Sequence, residues 1–197
     1  MPQAFYGKDD EPIVMGWFGC GEPVYPNDNE CWKHGLTVPN IMTIQNNKLR
    51  RYPTNDMLSA FEFIERTISN DYLLSSKHSH LRFELTQTEE FSLKVGTEDN
   101  YWELTTDCSN QTISIDRSHL IQLIDEEYGM TRSVAYDQFG TDPITVDIFL
   151  DNSFVEVYLN QGEVVFSFRV FIASDEQRAI FSQAKQIEYS LYQEKIQ

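Results

Sequence analysis

Apolar positions return at every second residue through the stretch from Asp147 to Phe171. Ile148 and Leu150, then Val155, Val157 and Leu159, then Val164, Phe166, Phe168 and Val170 fall two apart, the spacing that brings side chains to one face of a β-strand. Asp151-Asn152 and Asn160-Gln161-Gly162 interrupt the runs, and such residues tolerate the left-handed backbone of tight hairpins. A three-strand meander follows, with one aliphatic and aromatic face that needs a second layer, most simply another antiparallel sheet.

The same patterning extends to both sides. From Asn70 onward Leu81, Phe83 and Leu85 alternate, then Phe91, Leu93 and Val95, then Tyr101 to Thr105, then Ile113 and Ile115. Turn residues at Gly96 to Asn100 and Asp107 to Asn110 fall at the spacing of a β-sandwich. Near the end, Ile187, Tyr189 and Leu191 offer a last strand, with a helix from Ser182 as the alternative. Before residue 55 the runs are shorter. Ile13-Val14-Met15 leads into Gly16-Trp17-Phe18-Gly19; Leu36 to Val38 and Ile41 to Ile44 are split by Pro39, and Gln45 to Lys48 is a hairpin turn. Gly21 to Lys33, with Pro23, Pro26, Asn27, Asp28 and Asn29, is a loop. From Thr54 to Ile68 the period changes: Met57, Leu58, Phe61 and Ile64 fall on one helical stripe with Thr54, Asn55 or Asp56 as N-cap. A short helix joining two modules is predicted there.

Composition narrows the partners. The 197 residues are 41% hydrophobic and 13% aromatic, those of a folded chain, and carry a net charge of −16 from 31 acids and 15 bases. Such a surface repels phosphate backbones and anionic lipid, so neither nucleic acid nor membrane is an expected partner. No apolar run reaches the ~20 residues of a membrane span, and the start lacks the pattern of a secretory signal. The three cysteines, Cys20, Cys31 and Cys108, have no metal-binding spacing and read as reduced thiols in a cytoplasm.

The wording of the chain adds a resemblance. Asp151-Asn152-Ser153 with Val155-Glu156-Val157-Tyr158, Asn160-x-Gly162-Glu163 and Phe166-x-x-Arg169-Val170-Phe171 resemble the closing signature of the C-terminal β-sandwich of glycoside hydrolase family 32. That family holds the invertases, levanases and sucrose-6-phosphate hydrolases. Ile115 to Ser118 and the run Glu127-Tyr128-Gly129-x-Thr131-Arg132-Ser133 are similar in kind. The first fifty residues resemble the end of the family's propeller: Pro2-Gln3-Ala4-Phe5, Gly16-Trp17, Tyr25-Pro26 with Trp32, Leu36 to Pro39, and Leu49 to Pro53. One departure is Asn40-Ile41, where the family carries Arg-Glu. The resemblance implies an all-β fold, an antiparallel jelly-roll or lectin-like sandwich over 70–197, preceded by a remnant of the last propeller blade over 1–55 and a helical linker over 56–69.

Glycoside hydrolysis needs two carboxyl groups facing each other across the scissile bond. In the family these come from propeller blades that precede the Pro-Gln-x-Phe run, on which this sequence opens. Asn27-Asp28-Asn29, Glu30-Cys31 and Thr141-Asp142-Pro143 are incomplete lookalikes on separate modules, so no catalytic residue is assigned. His78-x-His80 lacks a third ligand of suitable spacing and reads as a pair of exposed loop histidines; no metal or cofactor is expected. The substrate-binding candidates are Trp17 and Trp32, because an indole stacks on the apolar face of a sugar. By resemblance Trp17 lines the sugar site of a complete propeller; within this chain core packing is its expectation, as for Trp102. The expected role is therefore structural, supporting a sucrose-6-phosphate hydrolase or β-fructofuranosidase. The alternatives are a free-standing carbohydrate-binding module or the partner chain of a split glycosidase. A second copy or the propeller portion are the expected protein partners, with weak carbohydrate binding besides.

Overall fold

The computed structural model describes residues 2–7, 11–19, 21, 23–124, 129–172, 177–183 and 187–195. Cys20 and the Glu127-Tyr128 pair lie outside them. The N-terminal part holds β1 (Gln3–Tyr6), β2 (Pro12–Met15), β3 (Trp17–Phe18), β4 (Gly35–Leu36), β5 (Asn40–Gln45) and β6 (Lys48–Pro53). Four of these form a sheet in the order β1-β2-β5-β6, and β3 pairs with β4. Asn46 and Asn47 join β5 to β6 with φ of 53° and 61°, the two left-handed centres that a two-residue hairpin of this twist requires.

A short helix, α1 (Asn55–Ser59), follows, with the Thr54 hydroxyl accepting the Met57 N–H at 3.2 Å. Then come β7 (Phe61–Thr67), β8 (Asp71–Leu73), β9 (His78–Leu85), β10 (Phe91–Gly96), β11 (Tyr101–Asp107), β12 (Thr112–Asp116) and β13 (Thr131–Ala135). The predicted meander is β14 (Ile144–Asp151), β15 (Phe154–Leu159) and β16 (Val164–Arg169); β17 (Arg178–Gln183) and β18 (Tyr189–Glu194) close the fold. Two six-stranded sheets result, β13-β12-β11-β10-β17-β8 and β16-β15-β14-β9-β18-β7, with antiparallel pairing. The fold is all-β, an antiparallel sandwich.

The core lies between the sheets. Leu81, Phe83, Val146, Ile148, Val155 and Val157 on one side meet Phe91, Leu93, Val95, Trp102, Leu104 and Ile113 on the other. Trp102 is buried as expected. The other face of β14 and β15 is covered too, because the N-terminal sheet packs on it. Tyr52 Oη donates to Asp147 at 2.8 Å, Val38 N–H donates to Glu156 at 2.9 Å, and Arg50 pairs with Glu163. At the hairpin between β15 and β16, Arg51 N–H donates to Gly162 O at 3.2 Å. The molecule thus has three layers, and β14 and β15 are buried on both faces.

The helical reading of 56–69 is corrected: the helix stops at Ser59, and Phe61–Thr67 is the outer strand beside β18. The register jumps there, with Leu191 opposite Glu65 and Tyr192 opposite Phe63, so Ile64 is an extra residue in β7. A bulge inserts one residue into the period-2 pattern, and the Phe61 to Ile64 spacing then imitates a helix. Pairing along β18 decides the outcome.

Candidate functional site

The chemistry concentrates where the Gly21 to Lys33 loop meets the end of β16. Arg169 is 3% exposed and is held by Ser153 Oγ, which accepts from Nε at 3.1 Å and Nη2 at 2.7 Å, and by the Lys33 carbonyl, which accepts from Nη1 at 3.0 Å. Its guanidinium carbon lies 4.0 Å from the Phe154 ring centroid, 4.9 Å from Phe171, 5.2 Å from Tyr25 and 5.5 Å from Trp32. Burial lowers its pKa to about 10, which leaves it charged at neutral pH. A guanidinium suits such a box because it is planar, weakly hydrated and attracted to ring faces. The box fixes the loop to the sandwich.

Two clefts open beside this anchor. The loop contributes Tyr25 to one, and Pro26, Asn27, Glu30 and Trp32 to the other. The Tyr25 cleft, about 400 Å³, is lined by Trp17 and by Arg51, Arg117, Arg132 and Arg169. Trp17 is 45% exposed there rather than core-packed as expected. Its two-residue strand carries it to the rim, where one edge meets the His34 ring at 4.8 Å. Burial, then the charges of Lys33 and Arg169, lowers the His34 pKa, so that ring is neutral. Arg117 donates to the carbonyls of Arg169 at 3.1 Å and Gly129 at 3.0 Å.

The second cleft, about 430 Å³, contains Trp32 with Asn27, Gln122, Asn152 and Ser153. Trp32 is 41% exposed. The two indoles singled out from sequence therefore line different clefts rather than one. The acidic lookalikes are spent elsewhere. Asp28 bonds Lys33 at 3.2 Å and accepts the Tyr25 N–H at 3.1 Å; burial works against it, but these partners hold its carboxyl below the usual range. Asp142 lies in the loop before β14 and accepts the Gln87 N–H at 3.3 Å. Neither shares a cleft with Glu30.

The histidine pair also departs from expectation. His80 is buried on β9, not in a loop, stacked between Phe149 at 4.2 Å and Tyr192 at 4.8 Å, with Nε2 2.8 Å from Asp147. His78 lies 2.7 Å from Glu194 and 3.3 Å from Asp151. No group of three or more metal-ligating side chains occurs among the described residues. The Arg169 box and the His80-Asp147-Tyr52 chain were missed from sequence. The available signal was polar residues at the alternate positions of apolar strands, Asp147 on β14 and Arg169 on β16.

No helix among the described residues is long and apolar enough to cross a membrane. The model of the family described as "Glycosyl hydrolases family 32 C terminal" matches residues 46–194. Sucrose-6-phosphate hydrolase of Staphylococcus xylosus is 29% identical over 181 residues, which is 86% of this chain and 36% of that protein. The Streptococcus mutans enzyme of the same name is 29% identical over 178 residues, 90% of this chain and 36% of the relative. Among solved structures, sucrose-6-phosphate hydrolase from Lactobacillus gasseri superposes with a TM-score of 0.86 at 20% identity, covering 98% of this chain and 41% of that one. A Bombyx mori β-fructofuranosidase gives 0.79 at 17% identity, covering 98% and 40%. The chain thus spans little more than a third of the length of these relatives, and it belongs to glycoside hydrolase family 32, of which it is the C-terminal domain.

Proposed function

We propose that this chain is the supporting portion of a sucrose-6-phosphate hydrolase or related β-fructofuranosidase: it braces a propeller that carries the catalytic carboxylates and does not hydrolyse substrate alone. The observation that carries this reading is the docked N-terminal sheet. Its inner strand β6 is tied to the sandwich through Tyr52, Arg50 and Arg51, while β1 at the other edge has all four residues exposed. A sheet held on one side and open on the other is suited to receive further strands. A cytoplasmic setting belongs to the proposal, supported by the free thiols of Cys31 and Cys108.

The test is a chimera in which this chain replaces the matching portion of the Staphylococcus xylosus relative. Hydrolysis of sucrose 6-phosphate by the chimera, with background turnover of sucrose and sucrose 6-phosphate by this chain alone, is the expected result. An inactive chimera, or turnover by the chain alone that disappears in Asp28→Asn/Glu30→Gln, overturns it.

A further inference from the structure

We propose that the Trp32 cleft binds a neutral saccharide, independently of the Trp17 cleft. Its volume of about 430 Å³ falls within the range of about 300–1,000 Å³ for small-molecule sites. The Trp32 indole is partly open, and its orientation is set before any ligand arrives. Arg169 lies 5.5 Å from the ring, Phe154 lies 6.0 Å away, and Asn27 Nδ2 donates to the Trp32 carbonyl at 2.8 Å. A platform fixed in advance loses little freedom on binding, and the face of an indole matches the C–H face of a sugar ring.

The polar groups beside it suit hydroxyls rather than charge. Gln122 offers an amide donor and acceptor, as a sugar hydroxyl does, and Asn152, whose Nδ2 lies 3.0 Å from His78 and 3.1 Å from Asp151, offers its amide oxygen. Ser153 Oγ already accepts two N–H bonds from Arg169, which fills its acceptor capacity and leaves its O–H to donate. Asn27 is 3% exposed, and its Oδ1 has no hydrogen-bond partner among the described residues. A buried carbonyl in that state costs free energy, which a small rotation of the Asn27 side chain toward a ligand hydroxyl in the cleft would relieve. Four arginines line the other cleft, whereas the lining here has one acid, Glu30, and one base, Lys77, and the Arg169 charge behind it is already held by Ser153 and the Lys33 carbonyl. In a chain of net charge −16 that balance selects an uncharged ligand over a phosphorylated one.

The experiment is calorimetric titration of the full chain with sucrose and an inulin-type oligosaccharide, with fructose 6-phosphate as the charged comparison. A saturable signal with the neutral sugars is expected, weaker with the phosphorylated one. Trp32→Ala weakens it by at least about tenfold, Gln122→Ala weakens it to a lesser degree, and Trp17→Ala leaves it unchanged. Circular dichroism checks folding; if Trp32→Ala does not fold, the exposed-rim variant Gln122→Ala decides. Flat titrations, unchanged affinity in the deciding variant, or loss in Trp17→Ala overturns the assignment. None of these outcomes touches the chimera experiment, so the two readings fail separately.

Discussion

Glu156 is a carboxylate placed on β15 between two apolar neighbours, Val155 and Val157, and it points away from the core toward the N-terminal sheet. It is buried, accepts the Val38 N–H at 2.9 Å, and accepts the Tyr158 hydroxyl. Burial raises its pKa above 4.5 in spite of the opposing pull of Tyr158, Val38 and Arg51. The folded state therefore holds this proton to higher pH than the unfolded chain does. The contribution to stability is full below pH 4.5 and is lost as pH rises through the folded value. Glutamine keeps an acceptor for Val38 and offers a donor to the Tyr158 oxygen without the charge. Glu156→Gln should thus gain on the native chain in urea midpoint between about pH 4 and pH 8. Glu156→Ala strands two donors and should lose about 1–3 kcal/mol at either pH. A Glu156→Gln advantage that shrinks as pH rises would contradict the desolvation argument. Arg169 shows the same economy from the other side: its charge is kept in the interior because rings and carbonyls surround it, and a lysine, compact and strongly hydrated, would not replace it.

At the scale of the element, the meander was legible because its core-facing residues keep a strict period of two. Val155, Val157 and Leu159 are buried as that period requires. The alternate residues were the illegible half. Asp147, Glu156 and Tyr158 read as solvent-facing by alternation, yet all are buried under the N-terminal sheet, and only that sheet's position reveals it. Strand β7 failed for a local reason, the extra Ile64, and Trp17 failed because a two-residue strand carries no period at all. Neither cleft was visible, since each draws residues from four or more separate stretches of chain. Gly162 is the point where element and layer meet. Its φ is +84°, and a Cβ added there would lie 1.9 Å from the Arg51 carbonyl oxygen. Gly162→Ala should therefore both strain the hairpin, at about 1–3 kcal/mol, and push β6 off the sandwich. Limited proteolysis would detect this as faster cleavage before Pro53, and Gly140→Ala, whose Cβ meets nothing within 4 Å, should leave the pattern unchanged. Equal cleavage of both variants would show that the hairpin does not hold the layer.

At the scale of the whole molecule, the layers differ in what they leave open. The sandwich buries its apolar residues between two six-stranded sheets, and the N-terminal sheet covers the back of one of them over β14 and β15. The same sheet leaves Phe5, Tyr6, Ile44 and Leu49 exposed, with β1 as its outer strand. Single exposed apolar residues are ordinary, but a group of them on a sheet with an open edge favours association. The high net charge of −16 opposes aggregation of a general kind, so association through this sheet should be limited and depend on concentration. Static light scattering should show a mass above the 23.0 kDa of one chain at high concentration. Phe5→Lys/Ile44→Lys should return the mass to that of one chain without lowering the melting temperature, because both side chains lie outside the core. A mass of one chain at every concentration would remove the second copy as a partner. A melting temperature lowered by the lysines would mean that the outer strands help hold the sandwich, and the layer would then be part of the fold rather than a surface waiting to be covered.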